Sequence, residues 1–175
     1  MTDERQLPTA VERALEEHEA FEPSDDGYAL TTTVFDVTVT AEPAEGQRDG
    51  QFCVTVAVPS LSTVVVGEGV APIVETDWAE TFERRVEDAF TVARTDTHED
   101  PIVDRTGETI RVTLAYTTWD AAEGVADAKA LAEFVEGTYA QGLIPGYEYR
   151  GAAATLRSNA QSRGQQAANG GGTPL

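Results

Sequence analysis

The spacing of hydrophobic positions changes several times along the chain, and each change marks an element. Val11, Ala14, Leu15, His18 and Phe21 recur at helical spacing behind Thr9 and Glu12, which form a capping box. They predict a first helix from about Ala10 to Phe21, ended by Pro23-Ser24-Asp25-Asp26-Gly27. From Tyr28 the period becomes two: Phe35, Val37, Val39 and Ala41 alternate with Asp36, Thr38 and Thr40, as expected of a strand with one buried and one wet face. Glu45-Gly46-Gln47-Arg48-Asp49-Gly50 reads as a turn into a second strand carrying Phe52, Val54, Val56 and Val58 on one side. Pro59 interrupts it, and the apolar run Leu61 to Val66 is expected to be a third strand of an antiparallel meander.

Asp77 followed by Glu80 signals a second helix, with Trp78, Phe82, Val86, Ala89 and Phe90 as its apolar stripe. Thr91 to Arg94 reads as a short strand and Thr95 to Pro101 as a loop. Ile110, Val112, Leu114 and Tyr116 then alternate through the clearest strand of the second half, entered from Thr106-Gly107. Asp120 caps a third helix whose inward positions are Val125, Ala128, Leu131, Ala132 and Val135, with fraying expected between Gly137 and Gly142. Pro145 and Gly146 suit the central positions of a type II turn. The predicted fold is α+β, an antiparallel sheet flanked by helices in the order α-β-β-β-α-β-β-α.

Charge divides the chain in two. All thirty-one acidic residues lie within 1–149, against nine basic ones, so that part carries −22, while 150–175 carries +3 from Arg150, Arg157 and Arg163. We read 1–149 as a single acidic domain, long enough to bury roughly 68–70% of its unfolded surface. The Ala/Gly/Gln-rich extension 150–175, with Leu156 its main aliphatic, has too little apolar surface to offset its ordering entropy and is expected to be disordered, at least from Gly164. Lys129 is the sole lysine. Such a coat repels itself across a Debye length of about 10 Å at ordinary salt, but near 1 M salt that length shrinks to about 3 Å. Acidic, lysine-poor surfaces are usual in cytoplasmic proteins of salt-loving archaea, and a halophilic, cytoplasmic protein is the expectation. Nucleic acid is an unsuitable partner for so acidic a body, and no apolar run approaches the ~20 residues of a membrane span. The single Cys53 permits no internal disulfide and reads as a small buried hydrophobe.

The stretch Phe134-Val135-Glu136-Gly137-Thr138-Tyr139-Ala140-Gln141-Gly142-Leu143-Ile144-Pro145-Gly146-Tyr147-Glu148-Tyr149, with Asp77-Trp78 and Trp119-Asp120, resembles an uncharacterised haloarchaeal protein family. The resemblance covers most of the acidic domain and stops near Arg150. It implies no catalytic residues, because that family has no known function. The order of elements is similar to that of type III secretion chaperones and the related sensory-transduction-like domains, a resemblance of topology alone.

Candidate chemistry is sparse. Asp96, His98 and Asp100, at alternate positions, would share one face of an extended segment and could hold a divalent metal, but no fourth ligand is visible. His18 lies beside Leu15 and Phe21 with no nucleophile nearby, which suits a partly buried structural histidine. Gly67-Glu68-Gly69 lacks the rest of a dinucleotide fingerprint, and the phosphate-loop pattern is absent. The most distinctive surface candidate follows the third helix: Tyr139, Gln141, Pro145, Tyr147, Tyr149 and Arg150, residue types that anchor interfaces. The alternative is that these tyrosines pack the helix end onto the sheet. The leading expectation is a non-enzymatic, chaperone-like module that binds a protein or peptide, itself a candidate homodimer, with no cofactor. The alternatives are a small metal-dependent enzyme using Asp96, His98 and Asp100, and a structural or regulatory subunit of a larger complex.

Overall fold

The structure, a computed structural model, describes residues 8–43, 50–67 and 69–159. Its elements run α1 (Thr9–Glu17), β1 (Phe21–Ser24), β2 (Gly27–Leu30), β3 (Asp36–Glu42), β4 (Gly50–Pro59), α2 (Leu61–Val64), α3 (Pro72–Val86), a 3₁₀ turn (Ala89–Val92), β5 (Thr97–His98), β6 (Ile102–Thr106), β7 (Thr109–Thr118) and α4 (Ala121–Gln141). Residues 151–159 are also helical. All strand pairs are antiparallel, in the order β1-β2-β3-β4-β7, with β5 and β6 both pairing to the outer edge of β7.

One face of this sheet is dry. Val37, Val39, Phe52, Val54, Val56, Val58, Ile110, Val112, Leu114 and Tyr116 are all at most 3% exposed. Their alternation with half-buried Thr, Ala and Cys is what an antiparallel sheet covered on one side requires. α4 lies across β4 and β7 and also packs against α1, α3 and the 3₁₀ turn. Its inward side chains Val125, Ala128, Leu131, Ala132 and Val135 are at most 1% exposed. The α+β class and the antiparallel sheet are therefore as the pattern predicts, while the order of elements is richer than α-β-β-β-α-β-β-α.

The differences have local causes. α1 stops at Glu17 because His18 turns extended (φ −93°, ψ 120°), and Phe21 opens a strand instead of closing the helix. Pro23 to Gly27 is the tip of the β1–β2 hairpin: Pro23 is tolerated on an edge strand, which needs no second ladder. Gly27 is required there, since its φ is +143° and a Cβ would stand 2.5 Å from the Val39 carbonyl oxygen. The run Leu61 to Val66 is not a third meander strand. Glu75 of α3 accepts hydrogen bonds from the backbone of Leu61 (3.2 Å) and Ser62 (2.7 Å), fixing one helical turn, α2, after which Val65 bridges to Tyr149.

α3 begins five residues before Asp77, with Pro72 in its first turn, where a missing N–H costs nothing. Thr91 to Arg94 is no strand; Thr91 and Val92 belong to the 3₁₀ turn. The expected loop Thr95 to Pro101 contains β5, and β6 forms a hairpin with β7 through Gly107 (φ +70°). α4 continues through Gly137 to Gln141. Gly146 has φ +100°, as a type II turn with Pro145 before it demands. Cys53 is half-buried on the uncovered sheet face rather than in the core. The first part of the extension is helical: Ala153 (0% exposed) and Leu156 (5%) are buried from the helix at 151–159. Of the turn expected at 45–50, Gly50 instead opens β4, while residues 45–49, like the stretch from Gly164, lie outside the described residues.

Candidate functional site

Trp78 and Phe82 lie one helical turn apart on α3 and stack nearly parallel, with ring centroids 5.8 Å apart. Tyr139 of α4 meets both edge-on, at 5.3 and 6.0 Å. The Trp78 indole donates a hydrogen bond to the Gly142 carbonyl oxygen (3.1 Å), so the chain leaving α4 is pinned against α3. Beyond this pin the two segments diverge and leave an apolar groove of about 380 Å³. Trp78, Phe82, Leu143, Ile144 and Pro145 form its apolar walls, and Asp77, Thr81, Arg85 and Gln141 bring polar groups to it. Mostly apolar lining with a few fixed polar groups is the usual character of a binding cleft.

The six residues expected to form a binding surface separate into three environments. Gln141 and Pro145 line the groove. Tyr139 is fully buried, its hydroxyl donating to the Pro59 carbonyl oxygen (2.9 Å), and it supports the groove from behind without reaching its surface. Tyr147, Tyr149 and Arg150 belong to the segment that returns to α2. The Tyr149 hydroxyl accepts from Ile144 N (2.6 Å), and Arg150 donates from Nε to the Thr63 carbonyl oxygen (3.1 Å). Tyr147 and Tyr149 meet edge-on at 6.4 Å, and Arg157 donates to the Tyr147 carbonyl oxygen (2.9 Å). The α3 half of the groove, with Asp77, Trp78, Thr81, Phe82 and Arg85, lies some sixty residues upstream of the segment that drew notice in the sequence. Trp78 at i and Phe82 at i+4 were legible only as a core stripe.

The structure does not bring Asp96, His98 and Asp100 together. Among the described residues no three of His, Cys, Asp and Glu are grouped to hold an ion. His98 instead stacks on Phe90, with centroids 3.8 Å apart and planes 8° from parallel, and its Nδ1 is 2.9 Å from the Glu99 carbonyl oxygen. Asp96 accepts from the Thr97 hydroxyl, and Asp100 borders a separate depression beside Glu83 and Glu87. His18 is half-buried, its Nδ1 accepting from Ala20 N (3.2 Å), which suits a structural role.

Several carboxylates hold loops to helices. Asp127 of α4, 2% exposed, accepts from Arg94 N (2.8 Å) and Thr95 N (3.0 Å), and Glu136 accepts from Val34 N (2.7 Å). An acidic coat is thus only part of the reason for so many carboxylates. The tyrosine hydroxyls respond to burial: desolvation raises both Tyr139 and Tyr116, with smaller contributions from nearby groups such as Tyr149 and Asp127. An unfolded chain releases these protons near the ordinary value of 10.0 while the fold retains them. Stability is therefore expected to be complete below about pH 10 and to fall as pH rises above it. Urea titrations at pH 9 and pH 11 check this, and equal midpoints would refute it.

The fold and groove together define a two-layer α+β protein, with helices on one face of an antiparallel sheet and an apolar cleft where its longest helix ends. The chain belongs to a family of unknown function (DUF5813), which it matches over residues 16–159. No curated protein and no solved structure matches it. Among the described residues no helix is long and apolar enough to cross a membrane.

Proposed function

We propose that this protein is a non-enzymatic, chaperone-like module of a halophilic cytoplasm that binds a protein or peptide, and that the groove between α3 and the end of α4 receives an apolar side chain of that partner. The observation that carries the reading is the groove itself: two stacked aromatic rings on a pinned helix pair, facing Leu143, Ile144 and Pro145. A volume of about 380 Å³ accommodates one or two large side chains, not a cofactor with its own polar periphery. Asp77 and Arg85, two turns apart on α3, offer one acceptor and one donor for the flanks of a bound segment.

The test uses an array of short peptides with paired apolar residues, probed with the full chain in molar KCl. Thr81 is half-buried in the groove wall, so Thr81→Arg fills the cleft from an exposed helix face. Peptides captured by the wild type are expected to lose about tenfold or more in affinity with Thr81→Arg, the scale of one obstructed anchor residue, while the melting temperature is unchanged. Equal binding by the two proteins would defeat the groove as the site.

The halophilic part of the reading rests on the charge of −22 over residues 1–149. Melting temperature is expected to rise steadily from dilute buffer to molar KCl as like-charge repulsion is screened. A flat dependence would count against it.

A further inference from the structure

The face of the sheet turned away from the helices is lined, at its centre, by Ala29, Thr38, Thr40, Cys53, Thr55, Ala57, Thr113, Ala115 and Thr117, all half-buried and none charged. On a domain with thirty-one carboxylates this is a conspicuous gap in the acidic coat. Its charged residues, Glu22, Asp36, Glu42, Asp104 and Arg111, lie towards the ends of the strands and on the outer ones. Ile102, 61% exposed, shares the same face at the outer strand.

We propose that this face is a two-fold interface with a second copy of the chain. The cross-strand register supplies the argument. Asp36, Ala57 and Arg111 are directly opposite one another on β3, β4 and β7, and Thr38, Thr55, Thr113 and Ile102 form the next row on this face. A two-fold axis along β4, lying between two stacked sheets, places β7 of one copy over β3 of the other. Arg111 then faces Asp36 of the second copy, and Asp36 faces its Arg111, giving two reciprocal ion pairs. Thr113 faces Thr38, and Ile102 of the outer strand faces Ala29 on β2. Thr55 and Cys53 fall on the axis, each opposite itself. The three ion pairs among the described residues are Arg94–Glu123, Arg105–Glu83 and Lys129–Glu133, none of which uses Arg111 or Asp36.

The face has the area of a small standard interface. β4 and β7 have ten residues each, β3 seven, β6 five, and β1 and β2 four each; at about 3.3 Å per residue and about 4.8 Å per strand they cover roughly 630 Å², the lower end of the ~600–1,000 Å² per partner of a standard interface. Charge favours this face over the rest of the surface as well. Two copies meeting on the carboxylate-bearing surface would set like charges against each other, whereas here a neutral centre meets a neutral centre. The helical layer, including the groove, stays free, so the interface stands or falls independently of peptide binding.

Light scattering after gel filtration in molar KCl is expected to give twice the 18.7 kDa chain mass. A short bismaleimide should join two copies through Cys53, the single cysteine. Thr55→Arg, which sets two like charges on the axis, should give a monomer with unchanged circular dichroism. Arg111→Asp should weaken the dimer about tenfold or more, and adding Asp36→Arg should restore it, since the swapped pair is again complementary. A monomer at every concentration, or a dimer indifferent to both Thr55→Arg and the Arg111→Asp change, overturns the proposal. If Thr55→Arg fails to fold, the charge swap decides alone, and failure of the second substitution to restore the dimer overturns it.

Discussion

Asp127→Ala is expected to destabilise the protein by about 2–4 kcal/mol, because it strands two backbone donors that cost about 1–3 kcal/mol each when buried without a partner. The carboxylate is 2% exposed and accepts from both Arg94 N and Thr95 N. Those amides lie where the chain leaves the 3₁₀ turn and heads for β5, and no regular ladder is available to take them. The Thr95 hydroxyl donates to the Thr117 carbonyl oxygen (2.6 Å), so releasing this segment also loosens the outer edge of β7. At the usual entropy of a domain this size, the loss corresponds to a fall in melting temperature of roughly 4–16 °C. Asp127→Asn keeps one acceptor oxygen and is expected to recover part of the loss. Thermal unfolding of the three proteins in molar KCl checks the order, and an Asp127→Ala protein within 0.5 kcal/mol of wild type, roughly the scatter of surface substitutions, would refute it.

Strands β3, β4 and β7 were legible because each has one dry face and one wet face over seven to ten residues, so the period of two repeats often enough to be seen. β1 and β2 have four residues each, and Pro23 in the first resembles a helix stop until its partner strand is known. β6 puts Ile102 on the uncovered face and Arg105 on the helical one, the reverse of what burial would lead one to expect. The apolar run from Leu61 to Val66 has no period at all, and its helical turn depends on Glu75, thirteen or more residues away. The helix at 151–159 buries only Ala153 and Leu156 fully, too weak a stripe to stand out from a small-residue tail.

For the candidate site the division is similar. Gln141, Leu143, Ile144 and Pro145 stood out as an apolar, Pro/Gly-punctuated segment after a helix, but the opposite wall is a stretch of α3 read correctly as an apolar stripe and no further. Trp78 serves as both core and cleft: 6% exposed overall, it bonds Gly142 and still borders the groove. A stripe pattern says which side of a helix faces the interior. It does not say where two helices part, because that depends on the exit angle of a chain some sixty residues later.

The second large effect is expected at Gly124, in the first turns of α4, where Gly124→Val should cost about 3 kcal/mol or more through overpacking. In an exposed helix the exchange of glycine for a side chain is favourable, by about 1 kcal/mol for alanine. Here a Cβ would stand 2.5 Å from Cζ of Phe52 and 2.8 Å from Cγ2 of Thr118, both on the dry face of the sheet. Neither can yield easily: the Phe52 ring is fully buried and stacked on Tyr116 at 5.3 Å, and Tyr116 donates to the Gly124 carbonyl oxygen (2.6 Å). Moving α4 away to admit a side chain would lengthen that bond and open the contact between α4 and β4 along the helix. Gly124→Ala should fall between wild type and Gly124→Val, the clash outweighing the gain in helix propensity. Phe52→Leu removes the obstructing ring carbons, so it should cost distinctly less in a Gly124→Ala background than alone. Denaturant unfolding of the two single variants and the double variant measures that coupling, and strict additivity would show that the Gly124–Phe52 contact is not what keeps this position free of a side chain.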